Sequence, residues 1–124
     1  MVAGLTTTRA ELAVRLGGLG YAVSDHVPNR ILPPAVIIST QDPYVTEGET
    51  FREQEMQVHL SLFLVAGTAQ NDAATRALDQ MIEAAISVLT GWTVSVSAPY
   101  MATVAGSQFL TARLDLDTEF LINP

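Results

Sequence analysis

The sequence predicts an α+β fold, with two helices packed on one face of a mainly antiparallel four-stranded sheet in the order α-β-β-α-β-β. Two observations carry this. Thr50–Val65 and Phe109–Ile122 alternate between apolar and polar residues over unusual lengths, the period of a half-buried strand. Thr8–Leu19 and Asn71–Leu89 instead repeat apolar residues at three-and-four spacing, the period of a helix with one dry side. Such elements bury their apolar sides by stacking into layers.

The first helix is expected to start near Thr8. Thr8-Arg9-Ala10-Glu11 has the spacing of a capping box, and Gly17, Gly18 and Gly20 close the helix. Leu12, Leu16 and Leu19 form its stripe. Tyr21–Leu32 reads as a connector with a short extended piece at Tyr21–Val23, and the Pro33-Pro34 pair favours extended backbone. Ala35–Thr40 follows as a strand, whose apolar run Val36-Ile37-Ile38 suggests burial on both faces.

In the second strand Met56, Val58, Leu60, Leu62 and Leu64 share one face, while Gln57, His59 and Ser61 share the other. At roughly 3.3 Å per residue, Phe51–Val65 would span about 50 Å. A domain of this length is only about 35 Å across. Its charged start is therefore expected to leave the body as a β-hairpin arm over Tyr44–Glu55. On that arm Tyr44, Glu47, Glu49, Phe51, Arg52 and Glu53 are subunit-interface candidates.

The second helix is capped by Asn71 or Asp72 and buries Leu78, Met81, Ile82, Ala85, Ile86 and Leu89. Trp92–Ser97 reads as a third strand, and Ala98–Gln108 as a turn region around Pro99 and Gly106. In the last strand Leu110, Ala112, Leu114, Leu116, Phe120 and Ile122 face the core. Thr111, Arg113, Asp115, Asp117 and Glu119 face away.

Composition narrows the possible functions. The 124 residues suit one domain with a sizeable core. The absence of cysteine excludes disulfides and thiolate metal sites. A net charge of −7 leaves no basic footprint for nucleic-acid binding, and all six basic residues are arginine. Charged residues make up only 15% of the chain, which is lean for a domain that stays soluble alone and suggests surface covered by partners. Met1–Gly20 lacks the charged start and apolar run of a signal peptide. Ala84–Ala112 carries no charge, but Gly91, Pro99 and Gly106 interrupt it, so it reads as helix end, strand and turn instead of a membrane span. A soluble protein without membrane contact is expected.

Residue chemistry points away from catalysis. His26 and His59 share no ligand spacing, and no serine lies in a nucleophile elbow. Gly17, Gly18 and Gly20 follow a helix, whereas a phosphate-binding loop needs a preceding strand. Asp115, Asp117 and Glu119 are the sharpest cluster, but neighbours two apart on a strand lie about 7 Å apart, too wide to share one magnesium ion unaided. Repeated around a ring, the row would line a channel with negative potential. No cofactor is expected.

An N-terminal helix leads through Val27-Pro28-Asn29-Arg30-Ile31-Leu32-Pro33-Pro34-Ala35-Val36-Ile37-Ile38 into the first strand. A long strand then runs to an Ala/Asp-rich helix, and Gly106-Ser107-Gln108-Phe109-Leu110 announces the closing strand. This order resembles the tail terminator, or tail completion, proteins of long-tailed bacteriophages over nearly the whole chain. The resemblance implies a structural virion protein, not an enzyme. It implies a homo-hexameric ring on the last ring of tail tube protein, facing the head-tail connector protein, with phage DNA passing through unbound. The resemblance, as much as their charge, makes Arg113, Asp115, Asp117 and Glu119 the channel-facing candidates. Assembly would occur in the host cytoplasm. Another neck or connector protein, the tube protein itself, and a ferredoxin-like small-molecule-binding module are the alternatives.

Overall fold

The computed structural model describes residues 2–26, 28–48, 55–68, 71–104 and 106–122. In chain order the elements are β1 (Val2–Ala3), α1 (Leu5–Gly17), β2 (Ala22–Ser24), β3 (Ala35–Glu47), β4 (Glu55–Gly67), α2 (Asp72–Ser87), β5 (Thr93–Val96), β6 (Tyr100–Val104) and β7 (Ser107–Leu121). The expected four-stranded, mainly antiparallel sheet in the order α-β-β-α-β-β is therefore corrected. Among the described residues the sheet has seven strands and is mixed. Its path is β1-β7-β4-β3-β2, with β5 and β6 also on β7; β1 pairs with β7 in parallel, as β2 does with β3.

β7 organises the fold. One of its edges pairs with β4 from Leu110 to Leu121. Its other edge is shared by three short strands: β6 opposite Ser107–Thr111, β5 opposite Leu114–Asp117, and β1 opposite Phe120–Leu121. Ser97 stitches the break between β5 and β6. Its N–H donates to Arg113 O at 2.8 Å, and its hydroxyl oxygen accepts from Arg113 N–H at 2.9 Å. β6 lies inside the segment expected to be a turn region. Five residues beside Pro99 carry little periodic signal, and the strand forms because β7 supplies a ladder to join.

The first helix starts three residues earlier than expected. Gly4 precedes it at φ 89, a conformation that costs glycine little. Its N–H donates to Leu121 O at 2.7 Å, which ties the helix start to the end of β7. Thr8 is not the cap: it lies one turn inside, buried, with its hydroxyl donating back to Gly4 O at 2.8 Å. α2 is capped by Asn71, whose side chain accepts from Ala74 N–H at 2.8 Å. Such a cap contributes about 1 kcal/mol. α2 buries Leu78, Met81 and Ala85, whereas Ile86, expected inside, is exposed.

Leu12 and Leu16 of α1 and Leu78, Met81 and Ala85 of α2 join one cluster with Val36, Ile38, Leu60, Leu62, Leu64, Ala112, Leu114 and Leu116. The opposite side of the sheet has a smaller cluster at one end, where Ile31 of the connector meets Ala35, Ile37, Val65 and Phe109. The apolar run at the start of β3 is thus covered from both sides.

The projecting arm expected over Tyr44–Glu55 is also corrected in its described part. Tyr44 and Val45 pack against the main core, and β3 and β4 stay paired as far as Glu47 opposite Met56. Glu55 and Met56 pair in turn with Leu121 and Phe120. The body accommodates these long strands because β7 runs beside them for 15 residues. The register shift between Thr40 and Val45 lets β3 bend, as bulges do. Gln41 lies at that shift, and its side-chain amide donates to Leu60 O at 2.7 Å. Residues 49–54 lie outside the described residues. Among those described, no helix is long and apolar enough to cross a membrane.

Candidate functional site: the polar half of the open sheet face

Alternation along β7 places Arg113, Asp115, Asp117 and Glu119 on the side of the sheet away from both helices. Register decides what stands beside them. Across β4, Phe63 is opposite Arg113, Ser61 opposite Asp115, His59 opposite Asp117 and Gln57 opposite Glu119. Across β5, Ser95 is opposite Asp115 and Thr93 opposite Asp117. The open face is apolar under the connector and polar beyond it.

The carboxylates of this row are held by partners. Asp115 Oδ1 accepts from Ser61 Oγ at 3.1 Å and lies 3.2 Å from Arg113 Nε. Asp117 Oδ1 pairs with His59 Nδ1, and His59 Nε2 lies 2.7 Å from Thr46 Oγ1. A carboxylate only accepts, so Nδ1 carries the ring proton; in the neutral ring Nε2 then accepts from the Thr46 hydroxyl. The His59 side chain is 16% exposed and that of Asp117 39%, so this three-residue chain is half sheltered. The row itself holds three carboxylates and one guanidinium, a net charge of two negatives along these four residues.

The Thr46–His59–Asp117 chain has the order of a hydroxyl–base–acid relay. Among the described residues, sheet backbone surrounds it. Strand amides lie in the plane of the sheet and point at neighbouring strands, so they do not converge above the face where an oxyanion would form. Among the described residues, no group of three or more His, Cys, Asp or Glu could hold a metal ion.

Of the expected interface residues, two lie among the described residues. Tyr44 is half-buried against the core and Glu47 is exposed at the end of β3. Glu49, Phe51, Arg52 and Glu53 lie outside the described residues. Sequence periodicity had already put His59 and Ser61 on a polar strand face. Their pairing with Asp117 and Asp115 follows only from the β4–β7 register, and the Thr46 contact only from the shifted register of β3.

A cleft of about 440 Å³ adjoins the row where, among the described residues, the outer edge of β7 has no partner strand between β5 and β1. Glu11, Arg15, Gln57, Trp92 and Glu119 are among its lining residues. Its polar groups engage one another. Arg15 donates to Thr90 O at 2.8 Å and to Glu11 Oε1 at 3.3 Å, and the Thr118 hydroxyl donates to Gly91 O at 2.8 Å.

One titration is perturbed away from the row. Asp25 is held below its ordinary value of 3.8, chiefly by a hydrogen bond from His26 at 3.0 Å. A depressed carboxylate stabilises the fold above the unfolded value and loses that contribution as pH falls through the lower folded value. The expected result is that Asp25 titrates below 3.8 in an NMR pH series and moves back up in His26→Ala.

Comparison with known proteins finds no matching family model and no matching curated protein.

Proposed function

We propose that this chain is a structural subunit of a long-tailed phage virion. Copies of it form a ring, of about six subunits by the tail-terminator resemblance, at the head-proximal end of the tail tube. The ring ends tube polymerisation, meets the head-tail connector, and lets DNA pass through its centre. The observation that carries this reading is the polar half of the open sheet face, where both helices lie on the other side and the carboxylate row is partly exposed. Repeated around a closed ring, the net negative charge of this row would repel phosphate from the wall, so DNA slides instead of binding. A ring needs a heterologous interface that closes, and termination needs one ring face that matches the tube end and one that does not.

Native mass measurement and electron microscopy of the purified protein, with and without purified tube, test this. The expected species is a closed ring near six subunits that caps tube ends and halts their growth. A strict monomer that leaves tube length unchanged would remove the reading. Open tubes formed by the protein alone would make it a tube protein instead. The cleft beside Arg15 favours the small-molecule module as a second reading, which calorimetric binding by a monomer that ignores tube ends would support.

A further inference from the structure

The stretch Ala84–Ala112, without a single charge, contains β5 and β6, which share the outer edge of the sheet with β1. Among the described residues β5 and β6 each pair with β7 and with no further strand. Open edges of monomeric sheets are normally guarded by charges, by proline within the strand, or by cover, because they template pairing with another chain. Here the edge Thr93–Val104 has no charged residue, and Pro99 sits in the break between its two strands. Val96 at 40% exposure and Tyr100 at 38% present large apolar groups there. The opposite edge is β2, Ala22–Ser24, also uncharged and, among the described residues, paired only with β3.

The two edges match in direction. β2 runs parallel to β3, β3 antiparallel to β4, β4 antiparallel to β7, and β7 antiparallel to β5 and β6. β2 therefore runs opposite to β5 and β6. Two copies side by side in the same orientation bring β2 of one against β5–β6 of the other as an antiparallel pair, the more stable ladder. The edges also match in height. One row of the sheet runs from Ala22 through Ala35, Val65 and Thr111 to Tyr100. β2 thus ends, on one side of the molecule, the row that Tyr100 ends on the other.

We infer that the outer edge β5–β6 is a self-association surface, and that it receives β2 of a second copy of this chain in antiparallel register. This rests on the ring reading and names its contact. Head-to-tail edge addition keeps every subunit in one orientation, as a ring requires. It also keeps the carboxylate rows of all subunits on the same side of a continuous sheet.

The chain has no cysteine, so introduced thiols are unique. Ala22→Cys would be mixed in turn with Ser95→Cys, Tyr100→Cys and Ala102→Cys under mild oxidation, with and without tube ends. All four positions lie on the open face, and the three outer ones allow for strand stagger. The expected result is an interchain disulfide in at least one mixture. The corresponding double variant should then give a covalent ladder ending at the closed ring. Disulfides only between identical outer-edge cysteines would overturn head-to-tail addition in favour of a two-fold pair. A ring of normal mass with no cross-link in any mixture would overturn the inference and leave the ring reading standing. A monomer under both conditions would remove both.

Discussion

Leu114→Ala is expected to lower stability by about 3–5 kcal/mol, the range for deleting a buried leucine and leaving a cavity. Leu114 is fully buried at the middle of β7, opposite Leu62 on one side and Val96 on the other, beneath both helices. Close packing from several elements leaves little room for collapse, which puts the cost in the upper part of that range. Domains of this size are stable by about 5–15 kcal/mol, so the change would remove a large share. Thermal unfolding should shift down by on the order of 10–20 °C. In urea, the midpoint should fall with an unchanged slope, because the surface exposed on unfolding stays nearly the same. Arg113→Ala, one residue away on the open face, is the control. Its ion pair with Asp115 is half exposed, so the expected change is within about 0.5 kcal/mol.

Asp117→Ala is expected to cost about 1–2 kcal/mol. It removes the acceptor of His59 Nδ1 and leaves a sheltered imidazole N–H without its partner. A hydrogen bond to a charged group is worth about 1.5–3 kcal/mol when buried, and the partial exposure of Asp117 reduces this. Asp117→Asn retains an accepting oxygen and should recover most of the loss. His59→Ala combined with Asp117→Ala should cost less than the sum of the single changes, since the second deletion removes the group that the first stranded. Additive losses in denaturant titrations would mean that the pair is not coupled.

Much of the site was legible in the period-two pattern of β7. Arg113, Asp115, Asp117 and Glu119 could be placed on one face before any contact was known, because consecutive strand side chains point to opposite sides. Their partners were not legible. A shift of one residue between β4 and β7 would have moved His59 and Ser61 to the helix side. The arm was misjudged for a related reason. A strand that looked too long for its domain was compared with a sphere, whereas β7 runs equally long beside it and β3 shifts register between Thr40 and Val45.

The short elements separate the two levels most clearly. α2 announced itself through its capping residue and three-and-four repeat, both local properties of the chain. β1 holds two residues, too few for a period to register, and β6 lies beside Pro99 in a segment that reads as a turn region, whereas β2, Ala22–Ser24, matches the short extended piece expected at Tyr21–Val23. They exist because β7 and β3 offer unsatisfied backbone groups in the right places, so hydrogen bonding across the sheet outweighs local preference. By itself, then, the sequence determined which residues share a face, where the long elements lie, and that Ala84–Ala112 carries no charge. Only the tertiary structure decided which strands are neighbours, which carboxylate meets which partner, and that the uncharged stretch forms an open edge. Periodicity is a property of one strand, whereas register and edges belong to pairs of strands.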